Sequence, residues 1–144
     1  MGEFPQSAQA TTFLDQAAAS HRTGLLRQSM ASQVESATLN PGEIQRSTGI
    51  VLPPLPARWR VHDVQLYPTP DSPAVAVSIT TPEGEQLSFF ADRAETPAEA
   101  RPLLARRAED VIAYWEAGDM AYALTGRAGP QRIMTLAAEI APAG

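Results

Sequence analysis

Two histidines, His21 and His62, are where acid–base chemistry or metal ligation would have to begin in this 144-residue chain. His62 is followed directly by Asp63, which makes His62 and Asp63 the candidate functional pair, an imidazole beside a carboxylate. Neither histidine has further ligands at the spacing a metal site needs. His21 falls on the apolar side of a helical pattern, where a hydrogen-bonded packing histidine is commoner than a ligand. A serine nucleophile needs a base and an exposed, strained elbow, and no Gly-x-Ser-x-Gly run is present. The stretch Gly126-Arg127-Ala128-Gly129-Pro130 lacks the lysine of a phosphate cradle and reads as a strand-to-helix turn capped by Gly129. The acidic pairs Glu109-Asp110 and Glu116 with Asp119 read as solvated residues flanking a strand and closing a hairpin, not as paired carboxylates or a calcium site. With no cysteine, thiolate metal sites, disulfides and cysteine nucleophiles are excluded. No catalytic, cofactor-binding or metal-ligating residue is therefore assigned, no cofactor is expected, and the chain is read as a non-enzyme. The competing chemical reading, a small metal-assisted hydrolase using His62 and Asp63, predicts metal bound after purification.

Composition narrows the partners. The net charge is −5 and all 11 basic residues are arginine, so the chain lacks the basic face that neutralising phosphates requires, and nucleic acid is not expected as a direct partner. With 44% hydrophobic and 19% charged residues the chain can bury a modest core, and its 13 prolines imply short elements and many turns. A single domain over residues 5–144 is expected, since Met1-Gly2-Glu3-Phe4 reads as a cloning scar. No stretch approaches the roughly 20 apolar residues of a membrane span, and no basic-then-apolar leader precedes the first element.

The elements that must position these residues follow from periodicity. A helical part spans 11–49. Its first helix has Thr12 as cap, Asp15 at the capping-box position, and an apolar stripe of Phe13, Leu14, Ala17, Ala18, His21 and Leu25, with Gln16, Ser20 and Arg22 toward water. After Gly24 the pattern weakens, leaving a second helix or a mobile segment open. Asn40-Pro41-x-Glu43 starts a short helix that should end at Thr48 before Gly49. Pro53, Pro54 and Pro56 enforce an extended crossing.

From 59 to 126 the period becomes two. Trp59 and Val61 share one parity while Val64 and Leu66 have the other, so a β-bulge is expected at His62-Asp63. Val75, Val77 and Ile79 pair through a Gly84 turn with Leu87, Phe89 and Ala91. A second hairpin sets Val111, Ala113 and Trp115 against Met120, Tyr122 and Leu124. Residues 92–109, with a helix-start signal at Thr96-Pro97-x-Glu99, read as an insertion over the sheet. A closing helix over 130–141 presents Ile133, Met134, Leu136, Ala137 and Ile140. The expected fold is α+β: a mostly antiparallel, twisted sheet of about five strands with N- and C-terminal helices packed on one face.

Three segments in succession carry a family resemblance. They are Phe13-Leu14-Asp15-Gln16-Ala17-Ala18-Ala19-Ser20-His21-Arg22; the strand block from Trp59 to Asp92, with Val75-Ala76-Val77-Ser78-Ile79 and Leu87-Ser88-Phe89-Phe90; and Tyr114-Trp115-Glu116-Ala117-Gly118-Asp119-Met120-Ala121-Tyr122-Ala123-Leu124-Thr125-Gly126 with the Leu136-Ala137 helix. Together they resemble the extracytoplasmic part of single-pass transmembrane anti-sigma factors, which hold an ECF-type sigma factor at the bacterial inner membrane. The family pattern departs at Arg60-Val61-His62-Asp63, where a glycine-rich strand entry is expected. The resemblance implies a periplasmic sensor without catalytic residues, a sigma-factor partner reached through a separate cytoplasmic region, and a membrane attachment through a separate transmembrane helix. It also implies a periplasmic protein partner or protease as the source of the signal, and makes the first helix, with Phe13, Leu14, Ala17 and His21, the coupling element. The alternative is a periplasmic or secreted module that binds a ligand or partner unrelated to sigma control.

Overall fold

The computed structural model describes residues 8–30, 38–68, 73–94 and 101–141. The elements in chain order are α1 (Ala8–Gln28), α2 (Pro41–Thr48), β1 (Arg60–Tyr67), β2 (Ala74–Thr80), β3 (Gln86–Arg93), β4 (Leu103–Arg107), β5 (Asp110–Ala117), β6 (Met120–Gly126) and α3 (Pro130–Ala138). The strands form one sheet in the order β1-β2-β3-β6-β5-β4, in which every neighbouring pair is antiparallel. It consists of two three-stranded meanders joined where β3 meets β6, with Phe89 opposite Leu124 and Ala91 opposite Tyr122.

Strand alternation sorts the side chains onto two unequal faces. The bulky face holds Val75, Val77, Ile79, Leu87, Phe89, Val111, Trp115, Tyr122 and Leu124, which pack with Ile50, Trp59 and the α3 residues Ile133, Leu136, Ala137 and Ile140. Its centre is aromatic: the ring of Phe89 stacks on Tyr122 at 5.6 Å and lies 6.1 Å from Trp115. The other face holds Ala74, Ala76, Phe90, Ile112 and Ala123, which pack with Leu14, Ala17 and Ala18 of α1.

The α+β class, the antiparallel sheet and the flanking helices are as the sequence predicts, and two details differ. The strands number six among the described residues, because Leu103–Arg107, read as part of an insertion, pairs with β5 as an edge strand. The helix-start signal at Thr96-Pro97-x-Glu99 lies outside the described residues. The helices also divide between the two faces, α1 on the small-residue face and α3 on the bulky one. Both faces of the strands carry apolar residues, so each needs a cover.

Local signals held where they were strong. The Oδ1 of Asn40 accepts the Glu43 N–H at 3.1 Å, and Gly49 closes α2 at φ +79°, a left-handed value that a β-carbon disfavours. The bulge is where parity put it: the β1/β2 register shifts between Val61 and Asp63, bringing Val61 and Val64 against the same core. Weaker signals did not hold. α1 begins four residues before Thr12, so Thr12 is not its cap, and Asp15 instead accepts from Arg107 Nε on β4 at 2.7 Å. Nor does Gly24 interrupt α1, which runs on to Gln28.

Candidate functional site: the polar seam beneath α1

Part of the interface between α1 and the sheet is polar. Cross-strand register places Asp63 opposite Ser78, Ser78 opposite Ser88, Ser88 opposite Thr125 and Thr125 opposite Ile112, a single row running across five strands. Asp63, Ser78, Ser88 and Thr125 in that row are all buried. α1 answers with Ser20, His21, Gly24 and Arg27. A β-carbon on Gly24 would stand 2.7 Å from Ser78 Oγ, so the backbone of the helix comes that close to the sheet only because Gly24 has none.

His21 is the centre of the seam. Its ring is 1% exposed. Nδ1 lies 2.7 Å from Ser88 Oγ, and Nε2 lies 4.0 Å from Asp110 Oδ1. Asp110 is itself buried and engages Arg127 at 3.3 Å. Burial pushes the His21 imidazole below its ordinary value; Asp110 opposes that shift, while Arg127 and Arg22 add to it. Burial therefore favours the neutral imidazole in the docked helix.

At the far end of the seam Asp63 accepts from Arg27 Nε at 2.7 Å and from Gln65 Nε2 at 3.1 Å. His62 turns to a different partner, with Nε2 2.6 Å from Thr80 Oγ1. The two members of the sequence pair thus serve separate contacts, Asp63 anchoring α1 and His62 bracing β2. Of the four residues that the resemblance makes a coupling element, Leu14, Ala17 and His21 are buried, and the Phe13 ring sits 5.5 Å from Phe90.

Ser88, His21 and Asp110 supply a hydroxyl, an imidazole and a carboxylate, the group types of a nucleophilic triad. Ser88 is buried under α1 and is only 3% exposed, so no substrate carbonyl can approach its Oγ while the helix is seated. What the arrangement can do in place is exchange hydrogen bonds and protons within an interface. Among the described residues there is no group of three or more His, Asp or Glu placed to hold a metal, and no helix is long and apolar enough to cross a membrane.

Sequence reasoning missed Ser78, Ser88, Asp110, Thr125 and Arg127 as parts of one site, and two of its expectations are corrected. Ser20 is buried rather than facing water, with its hydroxyl bonded to the Ala17 carbonyl at 2.9 Å. Asp110 is not a solvated strand flank; only its neighbour Glu109 is exposed. The available signal was parity: Ser78, Ser88 and Thr125 alternate with bulky neighbours and share a face with alanines, so a small, hydroxyl-rich face was readable. Their meeting with His21 was not. No family model, curated protein or solved structure matches this chain.

Proposed function

We propose that this chain is the periplasmic sensory domain of a membrane-anchored anti-sigma factor, in which α1 is the movable element that carries an envelope signal toward the membrane. The observation that supports this reading is how α1 is held. It lies across β2 to β6, yet the only large aliphatic side chain it buries fully, among the described residues, is Leu14; its other buried residues are Ala17, Ala18, Ser20, His21 and Gly24, with Phe13 and Leu25 half-buried. Full burial of one leucine contributes about 1.5–3 kcal/mol, and alanines add little. Half-buried Phe13 against Phe90 and half-buried Leu25 add to this, and the remaining hold comes from hydrogen bonds and ion pairs, which are sensitive to conditions. A receiver needs an element with two accessible states that a stimulus can bias, and a lightly held N-terminal helix meets that need.

In this reading the domain faces the periplasm, a transmembrane helix joins it to the inner membrane, and a cytoplasmic region holds an ECF-type sigma factor. A periplasmic protein or protease reads the state of α1. Proline at Ala17 in the membrane-anchored protein tests the coupling, because an interior proline costs a helix about 3 kcal/mol or more. A sigma-dependent reporter should then lose its response to envelope stress. Wild-type induction in that variant would refute the role of α1, and a response with no associated sigma factor would favour a binding module unrelated to sigma control.

A further inference from the structure

We propose that His21 makes the seating of α1 acid-sensitive: the imidazole is accommodated in the seam as the neutral base, and protonation below neutral pH releases the helix from the sheet. As a signal input this rests on the reading of α1 as the coupling element. The opening of α1 is a property of the domain alone and is measured on it alone, so failure of either claim leaves the other standing.

The argument begins with the groups that surround the ring. From β3 comes a hydroxyl, Ser88, and β2 presents only the hydroxyl of Ser78 in the same row, against Gly24 one turn along α1. β6 adds Thr125, in register with Ser88, and just past its end Arg127. β5 supplies the single nearby carboxylate, Asp110, which already engages Arg127. From β4, Arg107 is committed to Asp15, and on β1 Asp63 is engaged with Arg27. On α1 itself Arg22 follows in the chain and repels a second positive charge. An imidazolium here would be cut off from water, with one carboxylate 4.0 Å away, beyond hydrogen-bond reach, and two guanidinium groups of its own sign. Ser88 can accept from a protonated Nδ1, but the nearby carboxylate stands too far from Nε2 for a hydrogen bond to offset the added charge. Displacing α1 restores water to the ring and removes each of these costs.

The direction of the pH dependence follows. His21 is lowered in the docked state and has its ordinary value of about 6.5 when released. Docking is therefore fully stable above that value and weakens as pH falls through it toward the lowered docked value, where the released state binds the extra proton. One proton per opening gives at most a tenfold change per pH unit, and with a released value of about 6.5 the released population should rise by up to about 10-fold between pH 7.5 and pH 5.5. The one other imidazole, His62, lies on β1 against Thr80 and serves as an internal control.

Hydrogen exchange of the 144-residue protein, read on peptides from 13–28 and corrected for intrinsic exchange rates, measures the opening. Wild type and His62→Gln should each open more at pH 5.5 than at pH 7.5, by up to about 10-fold, with the sheet unchanged, while His21→Gln should show no such change. Equal α1 protection at the two pH values in wild type, or the same acid response in His21→Gln, overturns the proposal. Should His21→Gln fail to fold, an NMR titration of the wild-type His21 ring decides: a midpoint below that of a free histidine upholds it, and one at or above 6.5 overturns it.

Discussion

The close approach of α1 to the sheet can be tested at Gly24, where two opposing effects have separable magnitudes. Replacing a helix-interior glycine with alanine stabilises a helix by about 1 kcal/mol through backbone entropy. At Gly24 the new methyl would stand 2.7 Å from Ser78 Oγ, closer than real contacts allow, though 4.0 Å from Ser78 Cβ. Overpacking a tight contact costs about 1–3 kcal/mol. Gly24→Ala alone should therefore lie between neutral and about 2 kcal/mol destabilising. Removing the hydroxyl first changes the sign: in a Ser78→Ala background the same methyl meets only ordinary van der Waals contact, and Gly24→Ala should stabilise by about 1 kcal/mol. The double-mutant cycle isolates the clash as a coupling of about 1–3 kcal/mol between the two sites. Urea titrations of all four proteins measure it, with tryptophan fluorescence and far-UV circular dichroism followed together to confirm a single transition. If Gly24→Ala has the same effect in both backgrounds, Gly24 is not the contact point, and the account of how α1 reaches the polar row fails.

Two further substitutions probe the rest of the structure. Thr125 Oγ1 is buried with no hydrogen-bond partner, so Thr125→Val should raise stability by about 1 kcal/mol in thermal or urea unfolding; a loss would mean that the hydroxyl is engaged in the row. The Tyr122 hydroxyl donates to the Val51 carbonyl and ties the extended 50–56 segment to the sheet, and burial, with a smaller contribution from Asp119, raises its pKa so that it remains a donor into the alkaline range. Tyr122→Phe should cost about 0.5–1.5 kcal/mol and speed amide exchange at Ile50 and Leu52; unchanged exchange there would show that apolar packing alone holds the segment.

The parts of the fold that could be read from sequence are those fixed by neighbours in the chain. The α2 boundaries follow from Asn40, Pro41 and Gly49, all within one short stretch. The β1 bulge follows from a parity break visible in Trp59, Val61, Val64 and Leu66. The illegible parts depend on distant partners. Leu103–Arg107 is short and follows Pro102, and it is a strand only because β5 offers an open edge. Asp110 looks like any acid beside a turn until Arg127 and His21 converge on it, one from beyond β6 and the other from α1. The seam is built by register across five strands, which no single segment records.

The asymmetry of the two faces links the packing to the proposed role. Bulky side chains on the α3 face interlock around Phe89, Trp115 and Tyr122, and truncating any of them would leave a cavity costing about 3–5 kcal/mol. On the α1 face Ala74, Ala76, Ser78, Ser88, Ala123 and Thr125 keep the surface shallow except at Phe90 and Ile112. The shallow surface lets the helix approach closely and leaves Phe90 and Ile112 as the large apolar side chains it covers. Lifting α1 therefore need not disturb the aromatic core, which lies on the other side of the sheet. A helix that opens with a free energy below that of global unfolding is what native-state exchange detects as a separate cooperative unit. On this packing the α1 amides should exchange through such an opening while those of β3 and β6 exchange only when the whole domain unfolds. Equal opening energies for α1 and the central strands would mean that the helix is part of one indivisible core and cannot act as a relay.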